Sequence, residues 1–111
     1  MGTANEYTLE FLPAAFNDMI GIISAFLMLE SKQGAIRIKE KFNKAAEQVL
    51  AFPYSGMSVP DAKLSKSGFR MIVVEKYLMF YKVFEEEKKI VFYRILNGKT
   101  DYPTIMQNIK P

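Results

Sequence analysis

From Arg70 to Leu96 the chain reads RMIVVEKYLMFYKVFEEEKKIVFYRIL, and this stretch decides the fold. It holds three runs rich in β-branched and aromatic residues: Arg70–Glu75, Tyr77–Phe84 and Ile90–Leu96. The connections, around Glu75-Lys76 and from Glu85 to Lys89, are short and charged. Short connections predict antiparallel hairpins, hence a three-stranded antiparallel sheet. An antiparallel sheet with one wet face should alternate apolar and polar residues. Here both alternate sets are mainly apolar. In the second strand they are Tyr77, Met79, Tyr81 and Val83 against Leu78, Phe80, Lys82 and Phe84. In the third they are Val91, Tyr93 and Ile95 against Ile90, Phe92, Arg94 and Leu96.

Upstream lie the elements that can cover one of these faces. Ala35, Ile38, Phe42, Ala45, Ala46, Val49 and Leu50 recur at helical spacing, so a helix is expected from about Ala35 to Ala51, with Arg37, Lys41, Lys44, Glu47 and Gln48 outside. Before it, Phe16, Met19, Ile20, Ile23, Phe26 and Leu27 mark the buried stripe of a first helix. Pro13 stands where a helix can start without losing a hydrogen bond. Ser31 to Gly34 are read as the connection, and two helices joined so briefly form an antiparallel hairpin. Tyr7–Leu12 reads as a short strand. Phe52-Pro53-Tyr54-Ser55-Gly56 stops the second helix, and the stretch to Ser67 reads as irregular, with room for a helical turn. Asn97-Gly98 ends the last strand, and a short helix is expected after Pro103. The expected class is α+β, one domain spanning 1–111, in the order β-α-α-β-β-β. The helical hairpin covers one sheet face. The other face is read as the binding surface of a protein partner, since so large an apolar surface is unusual on a monomer, with the termini folding across it as the alternative.

Composition bounds the chemistry. Half of the 111 residues are hydrophobic and 14% are aromatic, which argues against disorder. There is no cysteine, so disulfides and zinc–thiolate sites are excluded. There is no histidine, so imidazole triads and histidine metal sites are excluded too. Neither a metal nor a cofactor is expected. Asn5 and Glu6 stand where a secretory signal would need its apolar stretch. Phe16 to Leu29 contains Asn17 and Asp18 and is shorter than the roughly 20 residues a bilayer demands. A soluble, cytoplasmic protein without a membrane partner is expected. Residues 1–31 carry four acids and no base, whereas all fifteen Lys and Arg follow, against eight acids, giving −4 and +7. A basic half can serve an anionic partner, either nucleic acid or an acidic protein segment, but on charge alone a mildly basic solvated surface is the preferred reading.

Arg70, Lys82 and Arg94 come one from each strand, with Lys63, Lys66 and Lys99 in the flanking segments. Such a group could grip RNA phosphates and stabilise an in-line attack, or pair with the carboxylates of a protein partner. By parity Tyr81 and Tyr93 belong with Met79 and Ile95 in the core. Glu85–Glu87 read as a solvated turn, and Glu75 and Asp101 are the acids nearest in sequence to the basic set.

Five segments, in order, resemble the RelE/ParE superfamily, the toxins of type II toxin–antitoxin modules, and in particular its plasmid stabilisation branch. They are Tyr7–Leu12 with Pro13-Ala14-Ala15, Phe52–Gly56, Gly68–Val74, Tyr77–Val83 and Arg94–Tyr102. The resemblance implies a growth-inhibiting toxin neutralised by a cognate antitoxin, as a homodimer or as a heterotetramer with that antitoxin. ParE-like members poison DNA gyrase, and RelE-like members cleave mRNA in the ribosomal A site. If the chain is a nuclease, Arg70, Lys82 and Arg94 are the catalytic candidates. The candidates for target or antitoxin contact are Leu78, Phe80, Phe92, Leu96, Asn97, Lys99 and Tyr102. The positions around Leu78 and Phe80, where nuclease members often carry arginine, are apolar. Asn97 and Thr100 replace a histidine or tyrosine and a second basic residue. The ParE-like reading is therefore preferred, with the nuclease and a harmless antitoxin-binding chain as alternatives.

Overall fold

The computed structural model describes residues 6–109; Asn5 and both ends of the expected 1–111 domain lie outside them. The chain runs β1 (Thr8–Phe11), α1 (Pro13–Leu29), α2 (Lys32–Ala51), β2 (Met57–Ser58), α3 (Ala62–Lys66), β3 (Arg70–Val74), β4 (Tyr77–Phe84), β5 (Lys89–Asn97) and α4 (Tyr102–Gln107). The three expected strands form the centre as an antiparallel meander. The sheet is larger than expected, however. It has five strands in the order β1-β5-β4-β3-β2, and β1 joins β5 in parallel. A two-residue strand such as β2 is too short to leave a periodic signal. The pairing of β1 is set by a distant strand, not by its own sequence.

The helices begin where local chemistry lets them. Pro13 occupies the first turn of α1. The Ser31 side chain accepts the Gly34 N–H at 2.9 Å, so α2 starts at Lys32, three residues ahead of expectation. A Cβ on Gly34 would lie 3.3 Å from the Phe26 ring, so the hairpin closes tightly there. The expected stripe of α2 is the observed one. The stripe of α1 is rotated. Ala15 and Phe26 are buried, with Met19, Ile22 and Ile23 partly so, whereas Phe16, Ile20 and Leu27 face solvent. This helix is apolar on nearly every side, so periodicity cannot choose its inner face. Asp18, anchored to β5, chooses it.

Hairpin and sheet enclose the first core, which includes Ile38, Phe42, Val49, Met79, Tyr81, Ile90, Phe92 and Ile95. Each large side chain fully buried there contributes about 1.5–3 kcal/mol. The opposite sheet face is not open. Near the C-terminus, α4 folds across it together with α3, forming a second core of Leu64, Phe69, Phe80, Tyr93, Leu96 and Met106 among others. The reading of that face as a bare partner surface is corrected: α3 and α4 of the chain itself supply the cover.

Strand β5 also breaks its expected parity. Phe80 pairs with Arg94 but Tyr81 pairs with Phe92, which leaves Tyr93 as the extra residue of a β-bulge. Ile90, Phe92 and Ile95 therefore share the hairpin side, while Val91, Tyr93 and Leu96 share the other. Tyr93 is a core residue as expected, but on the opposite face from Met79.

Candidate functional site

The Phe52–Gly56 loop is held from beneath by two residues of the sheet. The Tyr81 hydroxyl donates to the Pro53 carbonyl at 2.9 Å and accepts the Gly56 N–H at 3.0 Å. Arg70, opposite Tyr81 in the register, donates to the carbonyls of Tyr54 at 3.1 Å and Gly56 at 2.6 Å. Its guanidinium lies over the Tyr54 ring, and its Nε is buried without a hydrogen-bond partner among the described residues. Tyr54 in turn donates to Glu85, and this bond, aided by burial, pushes the phenol up to about 12. Arg70 is thus committed to shaping a loop.

Arg94 is committed elsewhere. Its Nε and NH2 donate to the two oxygens of Asp18 at 2.7 and 3.0 Å, and the Ile95 N–H donates to the same carboxylate at 2.9 Å. Here β1 has ended and α1 has begun, so Asp18 takes over the edge of β5 that β1 leaves uncovered. The hydrogen bond to Asp18 holds the Arg94 guanidinium above its ordinary range.

Lys82 differs from both. It is buried at 7% exposure, yet its side chain makes no hydrogen bond or ion pair among the described residues. Its Nζ lies 4.5 Å from the Phe69 ring centre and 5.6 Å from that of Tyr93. Burial pulls its pKa below the usual lysine range. It lines a cleft of about 390 Å³ whose mouth carries Lys63 and Lys66. Along β4, Lys82 belongs to the face of Phe80, whereas its neighbour Tyr81 belongs to the hairpin side with Arg70 opposite it. The three cations expected to act together therefore do not converge on one point.

The expected contact residues divide in the same way. Leu78 pairs with Leu96, and Tyr77 with Asn97, at one end of the sheet. Asn97 orders the turn after β5: its Oδ1 accepts the Lys99 N–H at 2.9 Å and its carbonyl accepts the Thr100 hydroxyl at 2.6 Å. Tyr102, at the start of α4, brings its ring to 5.2 Å from that of Phe80. Leu78, Phe80, Leu96, Asn97, Lys99 and Tyr102 thus gather at the β4–β5–α4 end. Phe92 lies apart, on the hairpin side, stacked 4.8 Å from Phe11. Phe80 and Phe92 are both fully buried, so neither meets a partner while α4 and the hairpin stay in place. Leu96 is buried too, Leu78, Asn97 and Tyr102 are half-buried, and Lys99 is exposed.

Sequence reasoning missed Asp18 and the Lys82 cleft. An acid inside an otherwise apolar helix was the available sign of the first. The second depends on α4 crossing the sheet and had no local sign. Among the described residues, no group of three or more His, Cys, Asp or Glu could hold a metal, and no helix is long and apolar enough to cross a membrane.

Residues 9–102 match the family described as ParE toxin of type II toxin-antitoxin system, parDE. No curated protein matches the chain significantly. Among solved structures, the chromosomal ParDE system of Pseudomonas aeruginosa superposes with a TM-score of 0.68 at 17% identity, covering 84% of this chain and 97% of that one. A free Escherichia coli RelE mutant superposes with a TM-score of 0.62 at 14% identity, covering 94% and 99%. The intact E. coli RelBE toxin-antitoxin complex gives 0.52 at 16% identity, covering 85% and 99%. At these identities the likeness is one of fold.

Proposed function

Because the chain belongs to the ParE toxin family of type II toxin-antitoxin systems, we propose that it is a toxin domain spanning 1–111 that stops growth by binding a protein target, DNA gyrase, and is held inactive by a cognate antitoxin. The observation that carries this reading over a nuclease is the commitment of Arg70 and Arg94 to the fold. Arg70 holds the Tyr54–Gly56 backbone and Arg94 holds Asp18. Metal-free RNA cleavage needs cations and a proton carrier around one phosphate. Lys82 alone of the three has no partner, and no carboxylate or hydroxyl bonds to it among the described residues.

A binding poison needs a shaped surface and no reacting group. The β4–β5–α4 end, with Asn97, Lys99 and Tyr102 reaching the surface, offers one, and its setting in the cytoplasm follows from the target. Induced expression should trigger DNA damage signalling, and the purified chain should inhibit gyrase supercoiling of a plasmid. Coexpression of a cognate antitoxin should restore growth. Prompt cleavage of mRNA in the ribosomal A site, with gyrase unaffected, would replace this reading with the RelE-like one.

A further inference from the structure

Lys82 is the only buried charged side chain among the described residues. Its ammonium reaches water only through the cleft, and no counter-ion offsets the hydration it gives up. The faces of Phe69 and Tyr93 offset part of that loss. The acids that cap the two covering helices are engaged with their own backbones. Asp61 accepts the Leu64 N–H at the start of α3, and Asp101 accepts the N–H and hydroxyl of Thr104 at the start of α4. The ammonium therefore faces the cleft with its attraction for an anion unspent. Lys63 and Lys66 add two cations at the mouth, and Ile109 gives the lining an apolar side chain that is only partly buried.

We propose that this cleft seats an acidic side chain of a peptide partner, with the carboxylate on Lys82 and an adjoining apolar residue against Ile109, the one apolar side chain of the lining that is only partly buried. The lining favours a peptide over a nucleic acid. Phe69 and Tyr93 are each only 4% exposed, edge-on to one another at 5.0 Å, so neither offers a face on which a base could stack. An apolar side chain beside a single recessed cation suits a carboxylate on a short stem flanked by a hydrophobic residue. The inference deepens the antitoxin reading above and rests on it for the identity of the partner, but the chemistry of the cleft is tested without it.

The probes are two capped tripeptides, acetyl-Leu-Glu-Leu-amide and acetyl-Leu-Gln-Leu-amide, added to the full chain with lysine and methionine labelled for NMR. The acidic peptide should shift the Lys82 and Met106 signals and bind at least fivefold more tightly than the amide. Lys82→Met, which fills the same space without charge, should abolish that preference. The Lys63→Gln, Lys66→Gln double variant changes only the rim and should at least halve it, and it carries the test if Lys82→Met fails to fold. Equal binding of the two peptides overturns the proposal. So does a preference untouched by the variants, or a short single-stranded RNA that shifts the same signals more strongly than the acidic peptide. Growth inhibition is read separately. A toxic chain without the glutamate preference overturns the cleft alone, and a harmless chain that retains the preference overturns the toxin reading alone.

Discussion

Replacing Arg94 with alanine separates a structural role from a chemical one. The guanidinium makes two hydrogen bonds to Asp18, and the two side chains are 26% and 17% exposed. Charged hydrogen bonds contribute about 1.5–3 kcal/mol each. Partial exposure and shared geometry put the pair near the low end, so Arg94→Ala should cost about 2–3 kcal/mol. Asp18→Ala should cost more, about 3–4 kcal/mol, because the Ile95 N–H loses its acceptor as well. In the double variant neither partner is left alone, so the two effects should fall short of their sum by about 1–2 kcal/mol. Urea unfolding of the four proteins at neutral pH measures this, with equal slopes confirming that the transitions are comparable. Asp18→Asn should be intermediate, since its amide oxygen still accepts from Ile95. Single effects that add to within about 0.5 kcal/mol would refute the coupling. An Arg94→Ala protein of full stability that no longer inhibits growth would move Arg94 from the fold to the target.

Gly56→Ala would place a Cβ 2.5 Å from the Tyr81 hydroxyl and 2.7 Å from the Met71 carbonyl, so a loss of about 3 kcal/mol or more is expected in thermal or urea unfolding. Adding Tyr81→Phe should recover part of it by removing the hydroxyl. Lys82→Met should be neutral or raise stability by about 1 kcal/mol in the same assays, because an unpaired buried charge is removed. Tyr54 keeps its proton longer in the folded state than in the unfolded one, so its contribution is full below about pH 10 and lost as pH rises towards about 12. Glu85→Gln should bring that phenol back towards its ordinary range in an ultraviolet titration. Hydrogen bonds from Arg37 and Lys41 lower the Glu75 carboxyl, so its share of stability is present above the unfolded carboxylate pKa and lost as pH falls through the folded one. Glu75→Gln should flatten the acid limb of the stability curve by no more than about 1 kcal/mol, the limit for so exposed a pair.

The central meander and α2 were legible because their signals are local: β-branched runs broken by charged turns, and one apolar stripe opposite a charged one. The inner face of α1 was not legible, since a helix apolar on most sides carries little directional information. Its rotation is settled by Asp18 reaching across to β5. The parity of β5 failed for a related reason. A bulge adds one residue to one strand, and nothing in Phe92-Tyr93-Arg94 announces it. The two apolar faces of β4 were read correctly, and they required a cover. The sequence reading assigned that cover to a partner, wrongly, because α3 and α4 have only five and six residues and weak patterns of their own. At the site, sequence identified the cations. Whether each was free or already engaged depended on contacts such as Arg94 with Asp18, 76 positions away.

The parallel pairing of β1 with β5 also sets an order in time. Thr8 lies beside Lys89 in the finished sheet, so the start of the chain must wait for its last strand. As synthesis proceeds from the N-terminus, α1 and α2 can form early, but the β5 edge that receives both β1 and Asp18 emerges near the end. Pairings so distant in sequence are slow to close and bring cooperative completion with them. A chain that stops before Lys89 keeps the β3–β4 hairpin but lacks the edge that β1 and Asp18 need, so its sheet stays incomplete on that side.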